Sequence, residues 1–219
     1  MTANESQLYN NRSNIPVHFI RHSTVFGLLS FLMVLSMNAM AEEGSYSIGV
    51  GLGYSSFNLN ETNLINSSPD LNPGAQFDDT ATTLNLSGAW LMDDHFALEL
   101  DLVFAGDITA SDSGIKYKLF DVTTLATTLA YNQRVSENIK LFGRFGVHLW
   151  DISEGSSSGY YSNSISSAVD LTYGLGADFS LFGNRARQLR LQWNHYEYDG
   201  VFINDNDIFS VNIVFVFGL

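Results

Sequence analysis

Four charged side chains sit where a narrow polar interior would need them. Glu99, Arg144, Asp178 and Arg190 each lie within a stretch of alternating hydrophobicity, on the face opposite the large apolar residues. Two carboxylates and two guanidinium groups in a low dielectric must pair, because a buried charge without a partner is very costly. Such a layer could seal or gate a passage, or it could simply satisfy itself; the second is the stronger expectation. A different grouping is WNHYEYDG (193–200), where His195 stands two positions from Trp193 and from Glu197. A lipid hydrolase would need a serine beside that imidazole and an acid to orient it. The position where a serine would suit holds Glu197, so no catalytic residue is assigned. His148 falls on an interior face with no nucleophile beside it, as a hydrogen-bonded interior histidine would. Asp199 and NDND (204–207) supply oxygen ligands suited to a hard cation, but not the spacing of a calcium loop. A solvated acidic loop is expected there, and neither a metal site nor a cofactor is assigned.

These residues need strands to position them. SYSIGVGLGYSSF (45–57) has Tyr46, Ile48, Val50, Leu52 and Tyr54 on one face and only Ser and Gly on the other until Phe57. A period of two places alternate side chains on opposite faces of a strand. The pattern recurs near 80–92, 96–104, 115–131, 139–152, 167–182, 187–198 and 208–219, which gives eight strands. In the fourth, Ile115, Tyr117, Leu119, Leu125, Leu129 and Tyr131 form the apolar stripe, and Asp121 interrupts it, so a bulge is expected there. Short connections at 93–95, 132–138 and 183–186 alternate with longer polar ones at 58–80, 107–114, 153–165 and 199–207. An even strand number with this loop asymmetry predicts an all-β fold: an eight-stranded antiparallel up-and-down transmembrane β-barrel.

The direction of the stripes follows from what opposes them. A soluble barrel would turn its apolar face inward and cover its outside with Lys and Glu. Here the opposite faces carry Ser, Gly, Thr, Asn and a few charges of both signs, which suits a crowded lumen. The large apolar residues therefore face lipid. Tyr46, Tyr54, Trp90, Phe96, Phe104, Tyr131 and Trp193 lie near strand ends on that side, where amphipathic rings prefer the headgroup layer.

The first 41 residues differ in kind. Arg12 and Arg21 precede the apolar run VFGLLSFLMVLS (25–36), and Ala39-Met40-Ala41 has the small-x-small form of a cleavage site. This predicts a signal peptide over 1–41 and a barrel domain over 42–219. The chain has no cysteine, which excludes disulfides and thiolate metal sites. Removing Glu5, Arg12 and Arg21 from 23 acidic and 10 basic residues leaves 22 and 8, a net charge of 8 − 22 = −14. So acidic a chain argues against nucleic acid as partner and permits divalent cations or basic partners.

WLMDDHFALEL (90–100), IKLFGRFGVHLW (139–150) and YGLGADFSL (173–181) resemble the N-terminal barrel domain of the OmpA family. The resemblance spans essentially the whole chain after residue 41, loops excepted. It implies that the paired interior acids fall on Glu99 and Asp178 and the interior arginines on Arg144 and Arg190. The family's fourth-strand lysine position appears as Thr128. The peptidoglycan-binding domain of full-length members is absent from this sequence, so a wall-anchoring role does not carry over.

The expected location is the outer membrane of a Gram-negative bacterium, with outer-membrane lipid and lipopolysaccharide as surroundings. The tail, with Phe215, Phe217 and Leu219 on one parity, looks like the C-terminal signal read by the barrel assembly machinery. The expected role is structural or surface-interacting. The alternatives are a narrow porin-like channel or small-ligand conduit and a lipid A-modifying or phospholipid-modifying enzyme.

Overall fold

A computed structural model describes residues 44–67, 71–154, 167–200 and 202–217. The signal peptide expected over 1–41, Leu219 and most of the connection expected at 153–165 lie outside the described residues. Among the described residues, nine strands and one short helix follow in order: β1 (Ser45–Leu59), α1 (Glu61–Ser67), β2 (Gln76–Asp78), β3 (Thr80–Leu91), β4 (Phe96–Asp112), β5 (Ile115–Arg134), β6 (Ile139–Glu154), β7 (Ser167–Leu181), β8 (Asn184–Glu197) and β9 (Ile203–Phe217). Every pairing is antiparallel. Eight strands close a ring in the order β1-β3-β4-β5-β6-β7-β8-β9, with β9 returning to β1. The three-residue β2 stays outside the ring and pairs with the far end of β4.

Closure removes the edges from the ring, so its backbone groups are paired within the sheet wherever the ladder is regular. The alternation then divides the side chains. Ile48, Leu52, Leu129, Phe145, Leu175 and Phe209 are exposed on the outer wall, while Glu99, Asp101, Arg144, Asp178 and Arg190 are buried. That is an inside-out pattern relative to a soluble protein, and it fits a hydrocarbon solvent. Aromatic residues bracket the apolar band. Tyr46 is in register with Trp90 and Phe217, and Phe96 with Tyr131, near the short turns. At the other end Tyr54 is in register with Phe209, and Phe209 with Trp193. Tyr46 and Tyr54 are about 26 Å apart along β1 at the usual strand rise.

Three expectations are corrected. The 107–114 segment is not a loop: β4 and β5 run on as a long hairpin, turned at Ser113 and Gly114 with φ of 51° and 83°. The polar 58–80 connection folds back on the barrel mouth through α1 and β2. Leu119 does not face lipid. The irregularity expected near Asp121 is there, with register shifts between Ala105 and Thr109 of β4 opposite 118–122 of β5. A bulge reverses the parity beyond it, so Leu119 is buried and Tyr117 packs against the interior.

Candidate functional site in the lumen and at the outer mouth

The lumen is built in two storeys. The lower one, nearer the short turns, is polar. Glu99 of β4 lies between two guanidinium groups, with Oε2 3.1 Å from Arg144 Nη1 and Oε1 2.8 Å from Arg190 Nη1. Arg190 of β8 donates twice to Asp178 of β7, Nε to Oδ1 at 2.7 Å and Nη2 to Oδ2 at 3.1 Å, the strong bidentate geometry. The structure thus brings the four sequence-predicted residues together.

It also adds two that the sequence reading left out of the layer. Asp101 Oδ2 is 2.6 Å from Arg144 Nη1, and Lys140 Nζ is 3.0 Å from Asp178 Oδ2. The result is an unbroken chain of alternating sign: Asp101, Arg144, Glu99, Arg190, Asp178, Lys140. Three carboxylates face three cations, so the layer is neutral as a whole. Asp101 was findable, since it shares the parity of Glu99 one step further along the strand. Lys140 shares the parity of Arg144 but sits at the strand entrance, where a solvated lysine is the ordinary expectation. Thr128, at the position where the resemblance implies a lysine, is buried and makes no ion pair; the third cation comes from β6 instead.

Glycine makes room for this layer. A Cβ at Gly174 would lie 3.3 Å from Arg144 Nε and against Asn194 Oδ1, the acceptor of a 2.8 Å bond from that Nε. A Cβ at Gly176 would lie 2.5 Å from Phe142 Cζ, and the Phe142 ring supports the Arg190 guanidinium at 4.4 Å. The small-residue face of β7 is therefore the space into which neighbouring strands send long side chains.

The upper storey is apolar. Phe57, Ile108, Leu119, Phe120, Trp150, Tyr196 and Tyr198 form one cluster with Leu64 of α1, with Leu71 and Phe202 of the outer connections and with Ile203 at the start of β9. Asn60 caps α1 through the Asn63 N–H, and its own N–H donates to Phe202 O at 2.8 Å, tying two outer connections together. Asp112 accepts from the backbone and side-chain nitrogens of Asn72, each at 2.8 Å. The Asn72 amide holds the Asp112 carboxyl below its ordinary pKa. His148 lies beneath this cap between Tyr196 and Tyr198, both edge-on at 5.1 Å. Its Nε2 is 2.7 Å from the Glu197 carbonyl oxygen, which can only accept, so the proton resides on Nε2. The interior, hydrogen-bonded histidine is what the structure shows.

The outer mouth is acidic. Glu61, Asp78, Asp79, Asp107, Asp112, Glu197, Asp199 and Asp205 lie there, against Lys116 and Lys118 as the basic residues among those described. Lys118 already pairs with Asp107 at 2.5 Å and Asp121 at 2.8 Å.

The outer membrane protein beta-barrel domain model matches residues 27–217. The chain belongs to that family. It is an integral barrel of the Gram-negative outer membrane, and its lipid-facing stripes are the surface that membrane requires. A search of the curated proteins finds no match. Solved structures are similar in fold. OprG of Pseudomonas aeruginosa aligns with a TM-score of 0.53 at 15% identity, over 80% of this chain and 96% of that one. The N-terminal β-barrel domain of OprF from the same organism aligns at 0.52 and 11%, over 80% and 98%. Ail, the attachment invasion locus protein of Yersinia pestis, in complex with the heparin analogue sucrose octasulfate, aligns at 0.51 and 15%, over 80% and 99%.

His195 is on the outer wall of this outer-membrane barrel, as its parity predicts. Its Nδ1 lies 2.9 Å from Asp207 Oδ1. Asp207, read from sequence as part of a solvated loop, is instead inside β9 and also accepts from Trp193 Nε1 at 3.1 Å. Among the described residues no group of three metal-ligating side chains converges.

Proposed function

We propose that this protein is a closed barrel that works at its outer surface, in a structural or surface-interaction role. The alternating six-charge layer carries the reading. Every member is paired, so opening the lumen would leave charges in a low dielectric without partners. The apolar cap above it, with Leu64 and Phe202 under the outer connections, supports the same conclusion. The surroundings would be outer-membrane lipid and lipopolysaccharide, and the barrel assembly machinery would engage the Phe215 and Phe217 face during insertion. The rim favours cationic partners. A sulfated glycan such as the analogue held by Ail would meet a strongly acidic mouth here, so that ligand class does not transfer. Single-channel recording of the purified protein tests the closed lumen: silence is expected, and steady conductance that changes with Glu99→Gln would overturn it.

A narrow conduit is the second reading, and one observation favours it. Beside the charge layer, Asn85, Thr83 Oγ1, Asn212 Oδ1 and Gln192 Oε1 are buried with no partner among the described residues, and Asn85 has neither amide atom bonded to them. Buried polar groups demand partners, and water could supply them. An enzyme is not favoured. His195 has its orienting acid in Asp207, but Ser56, the hydroxyl in register with Asp207, lies on the far side of that carboxylate from the imidazole. Unchanged lipid A and phospholipid masses with and without the protein are expected.

A further inference from the structure

One cross-strand row on the outer wall does not match the hydrocarbon-facing residues beside it. Tyr173, His195, Asp207, Ser56 and Thr80 stand in register across β7, β8, β9, β1 and β3. All five share the parity of the lipid face, and all five can hydrogen-bond. One step towards the short-turn end β7, β8, β9 and β1 present Leu175, Trp193, Phe209 and Tyr54, and β3 presents Thr82. One step outward β8 and β9 present Glu197 and Asp205. On β8 and β9 the row therefore marks the upper edge of the apolar band, where headgroups of the outer leaflet must lie, while on β7 exposed Leu171 and Val169 carry the band further out.

The side chains there form a defined arrangement. The His195 ring lies 4.9 Å from Tyr173 at 31° and 6.2 Å from Trp193 at 36°. Asp207 Oδ1 accepts from Trp193 and contacts His195 Nδ1, which fixes the carboxylate beside the rings. Among the described residues nothing bonds its second oxygen, and the side chain is 40% exposed. A carboxylate at the edge of hydrocarbon is costly unless a donor meets it. A phosphate placed directly against these carboxylates would be repelled by Asp207, Glu197 and Asp205 together, so the ligand must present hydroxyl groups there. A pyranose ring fits: its hydroxyls donate to the carboxylate, and its C–H face packs on tilted aromatic rings.

We propose that this row binds the sugar headgroup of an outer-leaflet glycolipid, stacked on Tyr173, His195 and Trp193 and hydrogen-bonded to Asp207. The row lies on the outer wall, so a conducting lumen would leave it intact. The test uses the full-length barrel in nanodiscs of phosphatidylcholine, titrated with rough lipopolysaccharide or with phosphatidylglycerol, an anionic lipid whose headgroup contains no pyranose ring. The Trp193 indole N–H resonance is the readout, with heat-modifiable migration confirming that each variant is folded. A saturable shift with lipopolysaccharide alone is expected, weakened about tenfold by Asp207→Asn and by Tyr173→Leu, as losing one charge-assisted hydrogen bond or one stacking face would do. An equal shift with phosphatidylglycerol, no shift, full retention in both variants, or loss of binding on chelating divalent cations would overturn it.

Discussion

At the scale of single residues, Glu99 is the central link of the charge layer. Among the described residues it is the one carboxylate that touches both arginines. Glu99→Gln keeps the shape but leaves three cations facing two carboxylates in the lumen. Breaking a buried pair costs about 3–5 kcal/mol, so reversible unfolding in lipid should show a loss of that order. Lys140→Met should cost much less, because that ammonium is the most solvated member of the chain and Asp178 keeps Arg190. Asp93 gives a pH dependence outside the membrane. Its carboxylate accepts from the His95 and Phe96 backbone N–H groups, both at 2.7 Å, which lowers its pKa from 3.8. The unfolded chain binds the proton more readily, so the stabilisation is present above pH 3.8 and is lost as pH falls through the lower folded value. Titration of the Asp93 carboxyl carbon by NMR should give a midpoint below 3.8; a midpoint at or above it would remove the capping role. The sequence disclosed the four main charges because each breaks a period-two pattern on the inner face. It did not disclose Asp207 as a strand residue, because NDND has the composition of a turn and only pairing with β1 and β8 makes it β structure.

At the scale of elements, the parity rule held wherever the ladder is regular and failed at the bulge. β5 shows both outcomes. Leu129 is 49% exposed on the outer wall, and Leu119 is 2% exposed inside, although the two share odd numbering. An interrupting Asp121 signalled an irregularity but could not say on which strand an extra residue falls; one falls on β4, around Gly106 and Asp107, and one on β5, at Leu119, which is the one that turns β5 over. The two leucines should therefore respond differently to the same change. Leu119→Ala leaves a cavity under the cap, at a cost of about 2–5 kcal/mol. Leu129→Ala leaves a space that lipid chains fill, so the cavity contribution is absent. Unfolding of the two variants in lipid should separate them, and amide exchange at Leu64 should accelerate in Leu119→Ala alone. Equal losses would mean that Leu119 also faces lipid. The helix α1 was beyond the sequence pattern for a related reason: it is a seven-residue element whose one buried residue, Leu64, has no periodic companion.

For the whole molecule, the decisive contact joins the first and last strands of the barrel. β1 is paired with β9 from Tyr46↔Phe217 to Leu59↔Ile203, so the ring cannot close until the last strand is in place. A contact of such sequence separation returns nothing until the loop-closure entropy of the intervening chain has been met. The tail therefore bears on assembly more than its length suggests. Phe215 and Phe217 lie on the outer wall, 42% and 54% exposed, while Val214 and Val216 between and beside them point inward. Replacing both phenylalanines with asparagine removes about 1.5–3 kcal/mol of apolar transfer apiece without touching the lumen. It also removes the face proposed to engage the assembly machinery. The expected outcome is that most of the double variant fails to reach the fast-migrating, heat-modifiable form in the membrane fraction. Val214→Ala, an interior change on the same strand, should assemble at the parental rate and show only a stability loss once folded. If the phenylalanine variant instead assembles normally, the outer stripe of β9 acts through lipid contact alone, and recognition during insertion must rest on another part of the barrel.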